Sequence, residues 1–195
     1  MEEKYMPIKI FIDQGHNPQN PNAGAEGNGF REQDLVFDIG VRLANLLRAN
    51  PDFDVRLSRN YPSEQLGTTI ATSLAARVNA ANAWGANYFI SLHANASNIT
   101  TASGCEGYVY AAPSQAFWFA QHIVKYLALE TGLQNRGVFE RPSLYVLRRT
   151  NMPATLIELG FITNPHDANL MANQPDLFAH GIYNGILSYF GMLPI

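Results

Sequence analysis

Short apolar runs alternate along the chain with longer stretches whose apolar residues recur every three or four positions. Ile8-Lys9-Ile10-Phe11-Ile12-Asp13 reads as a buried strand, and an Asn-, Pro- and Gly-rich loop follows over 14–29. Over 32–49, Leu35, Val36, Ile39, Leu43, Leu46 and Leu47 keep a helical period, which Pro51 ends. The same reading predicts strands at 53–57, 87–92, 106–111, 143–147 and 154–159, and helices at 69–84, 114–130, 165–172 and 175–190. Strands that alternate with helices need crossovers. The predicted fold is therefore a single three-layer α/β domain, with a mostly parallel twisted sheet of about six strands and helices on both faces. Residues 1–7 read as an N-terminal tail and 8–195 as the domain, with no repeat or linker inside it.

Composition agrees with one domain. The chain has 195 residues, 47% of them hydrophobic and 15% charged, enough for a sizeable core and too little charge for a disordered chain. Thirteen basic against sixteen acidic residues give a net charge of −3, which offers no electrostatic footprint for nucleic acid or anionic lipid. The N-terminus lacks the basic and apolar segments of a signal peptide, and no stretch approaches the roughly 20 apolar residues of a membrane span, so no membrane insertion is expected. Cys105 is the lone cysteine, which excludes an internal disulfide and a thiolate metal cluster. A bound metal would have to be held by His, Asp or Glu.

In open α/β sheets, ligands gather at the carboxyl ends of strands. The first predicted strand ends in Asp13-Gln14-Gly15-His16, the third runs into Ser91-Leu92-His93-Ala94-Asn95, the last ends in Ile157-Glu158-Leu159-Gly160-Phe161, and Glu32 opens the first helix. Two histidines and a carboxylate leave a fourth metal position for water, and a second glutamate supplies the base such a water needs. Taken singly, each residue has a plainer reading. A histidine after a strand is more often a structural residue, and Glu32 suits the first turn of a helix, where the dipole favours an acid. Glu158 differs, because an unpaired charge in an apolar strand is costly and asks for a partner or a task.

The segments Ile12-Asp13-Gln14-Gly15-His16, Gly29-Phe30-Arg31-Glu32, Ser91-Leu92-His93-Ala94-Asn95-Ala96, Gly104-Cys105-Glu106-Gly107 and Met152-Pro153-Ala154-Thr155-Leu156-Ile157-Glu158-Leu159-Gly160-Phe161-Ile162-Thr163-Asn164-Pro165 occur in this order along nearly the whole chain. In them the sequence resembles the type-3, zinc-dependent N-acetylmuramoyl-L-alanine amidases of bacterial cell walls and phage lysins. The resemblance implies one Zn²⁺ per chain held by His16, Glu32 and His93, with Glu158 as the catalytic glutamate. It also implies peptidoglycan as substrate, cut at the amide between N-acetylmuramic acid and L-alanine, by a monomer acting outside the cell at the wall. Two positions depart from the family's first motif. Gln14 stands where a proline is common and is expected to loosen that turn, and Asn17 stands where a second glycine is common. Some members carry a helical plug after the second histidine; the segment 94–105 is too short for one, which implies an open site.

Supporting residues are less specified. Asp13 suits either accepting the second ring N–H of His16 or serving as a strand-end turn carboxylate, Asn95 either donating to a substrate carbonyl or capping its turn, and Arg148, with Arg149, either pairing with stem-peptide carboxylates or, the plainer reading, lying in a solvated loop. Other readings are a zinc peptidase or carboxypeptidase acting on the stem peptide, and a non-catalytic glycan-binding domain on the same scaffold. The His-Glu-x-x-His helix of many metalloproteases is absent, and no Gly-x-Ser-x-Gly elbow supports a serine hydrolase. With the domain occupying almost the whole sequence, targeting to the wall is expected to come from a partner or a separate wall-binding module.

Overall fold

The computed structural model describes residues 6–194. Residues 1–5 of the expected tail lie outside the described residues. A six-stranded sheet has the order β4-β1-β5-β8-β6-β7, formed by β1 (Ile8–Gln14), β4 (Phe53–Leu57), β5 (Tyr88–Asn95), β6 (Cys105–Val109), β7 (Asn135–Glu140) and β8 (Ala154–Phe161). β4, β1, β5 and β8 run parallel, β6 is antiparallel to β8, and β7 is parallel to β6. The reversal has a local cause. No helix separates β5 from β6, so the chain turns back instead of crossing over, and a crossover helix then restores a parallel step to β7.

Helices cover both faces, as the alternation predicts. α1 (Glu32–Arg48), α3 (Gln115–Thr131) and α6 (Pro175–Tyr189) bury Ile39, Leu43, Phe119, Ile123, Phe178 and Ile182 against Ile10, Ile12, Ile90, Leu92, Ile157 and Leu159 of the sheet. Each such side chain contributes about 1.5–3 kcal/mol on burial. Gly185 lets α6 approach α3 closely, since a Cβ there would lie 2.5 Å from the Ile123 Cα. On the other face α2 (Ile70–Trp84) and the short α4 (Tyr145–Arg149) bury Val78, Ala81, Val146 and Leu147 against Phe11, Phe89 and Leu156. α5 (Pro165–Asn173) starts from an Asn164 cap, whose side chain accepts from the His166 and Asp167 amides. Cys105 is buried, and burial pushes its thiol up to about 12, which leaves it chemically quiet.

Two expectations change. The strand expected at 143–147 is the start of α4, and the strand beside β6 is instead β7, Asn135–Glu140. Its sequence, NRGVFE, is largely exposed at the sheet edge and carries no apolar run to announce it. The run Leu144-Tyr145-Val146-Leu147 buries Val146 and Leu147 from a helical turn, and short apolar runs do not separate the two states by period. The loop expected over 14–29 also contains a small hairpin, β2 (Glu26–Gly27) with β3 (Phe30–Arg31), closed by Asn28 and Gly29 at φ 53° and 83°.

Candidate metal centre

Alternation of side chains along a strand decides what reaches the open part of the second face. Phe89 and Leu156 lie under α2 and α4. Continuing by twos, Ser91 and His93 on β5 and Glu158 on β8 emerge beyond that cover. β1 contributes Asp13 on the same face as Phe11, and its continuation carries His16. From the opposite layer, α1 begins at the same sheet edge with Glu32, so both layers deliver donors to one point.

There one donor atom from each of His16, Glu32 and His93 lies within 4.8 Å of the others. Glu32 Oε1 is 3.1 Å from His16 Nε2 and 3.0 Å from His93 Nδ1, and it accepts the Ala94 amide N–H at 3.0 Å. Glu32 Oε2 accepts the Ala25 N–H at 2.9 Å. Burial opposes ionisation of this carboxyl, but the hydrogen bonds and charge of the two histidines outweigh burial and hold it well below the usual carboxylate range. The surrounding backbone is shaped for close approach. A Cβ on Gly15 would sit 2.6 Å from the His93 ring, and one on Gly24 would sit 2.8 Å from Glu32 Oε2. His16 itself holds the left-handed conformation at φ 65°. Two imidazole nitrogens and an anionic oxygen converging in this way form a donor set that suits a divalent cation of borderline character.

The His16 loop is held by a buried arginine. Arg77 of α2 donates from Nη1 to Asp13 Oδ1 at 2.6 Å and to the Gln14 carbonyl at 2.7 Å, and from Nη2 to the His16 carbonyl and, at 3.2 Å, to Asn17 Oδ1. Asp13 also accepts the Ser91 hydroxyl at 2.7 Å. Burial would raise the Asp13 carboxyl, yet Arg77 and Ser91 bring it below its ordinary value. Asp13 thus has other partners than the ring expected from the sequence: His16 Nδ1 is buried and has no hydrogen-bond partner. Asp13 acts on His16 through Arg77 and the backbone.

The two departures from the first motif also gain a reason. Gln14 does not loosen its turn. Its buried amide donates to the Arg59 carbonyl at 3.1 Å and accepts from Ser58 Oγ and the Arg59 N–H at 3.1 and 3.0 Å, tying the end of β1 to the end of β4. Asn17 donates to the carbonyls of Pro21 and Leu66 and accepts the Leu66 N–H, closing its own loop and tying it to the segment before α2.

Glu158 sits between two neighbours in register, His93 on β5 and Glu106 on β6. Its Oε2 is buried with no hydrogen-bond partner. Burial, and then the negative charges of Glu32 and Glu106, push its carboxyl well above the ordinary glutamate range. Glu106 is treated differently by the fold. It accepts from Arg136 Nε at 2.8 Å, from Asn95 Nδ2 at 2.8 Å and from the Tyr108 hydroxyl. Asn95, expected to face substrate, therefore spends an amide N–H on Glu106. Arg148 is exposed on α4 and lines a separate cavity with Tyr110, Ser114 and Met152 near the start of β8, at the other end of that strand from the cluster.

Sequence reasoning missed Arg77, Glu106 and Arg136. Arg77 and Glu106 carried a legible signal, a charged residue at a core-facing position of an apolar helix or strand.

The family described as N-acetylmuramoyl-L-alanine amidase matches residues 10–188. The N-acetylmuramoyl-L-alanine amidase CwlM of Bacillus licheniformis is 36% identical over 191 residues, covering 95% of this chain and 70% of that protein. The amidase LytC of Bacillus subtilis strain 168 is also 36% identical, over 93% of this chain, which spans only 35% of LytC. Among solved structures, an N-acetylmuramoyl-L-alanine amidase from Clostridium difficile 630 superposes with a TM-score of 0.84 at 34% identity, covering 95% of this chain and 97% of that one. With the family's match running through β1, α1, β5 and β8, and so through every residue of the His16, Glu32, His93 and Glu158 cluster, the chain belongs to the N-acetylmuramoyl-L-alanine amidase family of hydrolases.

Proposed function

We propose that this chain hydrolyses the amide between the lactyl carbonyl of N-acetylmuramic acid and the L-alanine that begins the peptidoglycan stem peptide, with one zinc ion held by His16, Glu32 and His93 and with Glu158 moving the proton. The observation that carries the reading is the pairing of a three-donor cluster with a half-buried carboxyl in the adjacent strand position, its buried Oε2 free of protein partners. Zinc, when bound, polarises the carbonyl and lowers the pKa of its water to roughly 7.

The chain's own residues supply the rest. His16 and His93 would hold the ion through ring nitrogens and Glu32 through a carboxylate oxygen, a donor set of one negative charge that would leave a divalent ion net positive charge for polarising a carbonyl. Glu158 takes a proton from the attacking water and gives it to the departing alanine nitrogen. The water oxygen bonds to the carbonyl carbon, the C–N bond breaks, and the products are a lactyl carboxylate and a free amino terminus. Burial and the charges of Glu32 and Glu106 raise the proton affinity of Glu158 in the metal-free chain, which favours its keeping a proton taken from water until the amine departs. Arg77, Asp13 and Ser91 keep the His16 loop and β5 in register, and Arg136, Asn95 and Tyr108 fix Glu106 beside Glu158.

We further infer that residues 8–195 act as one catalytic unit outside the cell, as a monomer, with wall targeting supplied by a separate module or partner. The much greater length of LytC supports that division. Digestion of purified peptidoglycan tests the reading: new amino termini without new reducing sugar ends are expected, and reducing ends in their place would overturn it in favour of a glycosidase.

A further inference from the structure

Beside Glu158 the sheet is left uncovered on the face that carries it. Glu106 of β6 stands opposite Glu158 and Tyr108 opposite Leu156, while Phe139 of β7 is the register partner of Tyr108, with ring centroids 6.4 Å apart. Tyr110, one residue past the end of β6, continues the row. The helical cover stops short of it: α2 and α4 pack on Phe11, Phe89 and Leu156, whereas α3 lies against Val109 and Val138 on the other face. Phe139 is therefore 45% exposed and Tyr110 51%. The surface around them is flat. A Cβ on Gly137 would meet only the Phe139 ring, at 3.7 Å, and Arg141 lies over the Tyr108 ring at 5.1 Å. This strip follows β8 for about 13 Å, the rise from Glu158 back to Ala154. It ends at the cavity of about 560 Å³ that Tyr110 lines with Gln115, Asn151 and Met152.

We propose that the strip seats the glycan strand of peptidoglycan, with sugar rings laid on Phe139 and Tyr110, so that the enzyme selects the polymer over released fragments. The inference rests on the amidase reading above and adds a second contact with the same substrate, away from the bond that is cut. Chain topology favours the glycan as occupant. A glycan strand continues from both sides of its muramoyl residue, so it needs a surface open at both ends. The half-enclosed cavity of about 150 Å³ between the two histidines, α2 and α4 cannot take a chain that continues in both directions, whereas the β6–β7 face is open along its length. Surface chemistry points the same way. Pyranose rings present flat C–H faces that match exposed aromatic rings, and their edge hydroxyls can reach Arg141 and the Tyr110 hydroxyl. Two exposed aromatic rings in one row beside a reactive carboxyl are the kind of patch that marks a binding surface.

Phe139 and Tyr110 lie outside the catalytic cluster, so substitutions there separate the two contacts. The zinc-loaded protein is assayed on uncross-linked glycan strands that carry stem peptides and on a one-sugar muramoyl dipeptide. Phe139→Ala and Tyr110→Ala should each lower kcat/KM on the strands by about 3–10-fold, through KM, and leave the one-sugar substrate unchanged. Phe139→Tyr should keep the wild-type preference and Phe139→Leu should lose it, since only the first retains a ring. Stem-free glycan oligomers should also bind the metal-free protein, and more weakly after Phe139→Ala. Unchanged rates on the strands in all these variants, or equal losses on both substrates, would overturn the proposal and leave the amidase reading intact. So would losses that track stem-peptide length on one-sugar substrates, which would place peptide on the strip, or a dimer in sedimentation that Phe139→Ala dissociates, which would place a second copy there. Cleavage of neither substrate by the wild type would overturn the amidase reading, and this proposal with it.

Discussion

Glu106 and Glu158 stand opposite each other in the antiparallel register of β6 and β8, and only Glu106 has a cationic partner, Arg136 at 2.8 Å. Two carboxyls on neighbouring strands are thus given different electrostatic surroundings by residues outside the strand pair. One is fixed by three donors, and the other keeps an unpartnered oxygen beside the donor cluster.

Replacing Glu158 by Gln removes the proton carrier and keeps the shape. We expect zinc content, measured by elemental analysis, to stay near one per chain while kcat falls by about 10²–10⁴-fold. His16→Ala or His93→Ala should lose both metal and activity. Loss of metal from Glu158→Gln would make Glu158 a ligand and sink the division of roles.

Glu106→Gln takes a negative charge from beside Glu158. That charge is one of the causes holding the Glu158 proton on, so its removal lets the carboxyl ionise at lower pH. The acid limb of the pH profile of kcat/KM should move to lower pH in the variant. A limb that moves upward or stays in place would show that Glu106 has no electrostatic reach to Glu158.

Arg77 bridges two backbone carbonyls and three side chains, Asp13, Asn17 and Ser58, which a lysine cannot do with one ammonium. Arg77→Met leaves Asp13 buried without its cation and should cost about 3–5 kcal/mol in urea unfolding. Arg77→Lys keeps the charge. It should retain most stability yet bind zinc more weakly in a competition titration, because the His16 carbonyl loses its anchor.

Asp13 and Glu32 both have folded pKa values below their unfolded ones. The sign follows from linkage: their stabilisation is complete above the unfolded values, near pH 4, and is lost as pH falls through that range toward the folded values. Urea midpoints of the metal-free protein should therefore fall steeply below about pH 4. In Asp13→Asn the midpoint should be lower at neutral pH and the acid decline shallower.

The parts of the site that were legible in the sequence share one property. His16, Glu32, His93 and Glu158 are chemically distinct residues at the ends or starts of well-patterned elements, so sheet topology alone gathers them at one edge. The illegible parts depend on partners remote in sequence. Arg77 and Asp13 are 64 residues apart, and nothing local announces their pairing. Position in the sequence places Asp13 and Asn95 near the histidines, but their partners are Arg77 and Glu106, which lie remote in sequence or on another strand. β7 escaped notice because an exposed edge strand needs no apolar pattern, its pairing with β6 being made by backbone groups.

α2 buries only Ser73, Arg77, Val78 and Ala81, whereas α1 buries residues along much of its length. The helix that carries the His16 anchor is thus among the least secured parts of the domain, and its amides should exchange with solvent through local opening well before the sheet unfolds. When α2 opens, Arg77 leaves the His16 carbonyl and the cluster loses its geometry. Ion binding at the cluster would consequently be linked to closure of α2, each favouring the other by the same free energy. Hydrogen exchange in residues 70–84 then becomes a gauge of metal occupancy at a site that none of those residues ligates.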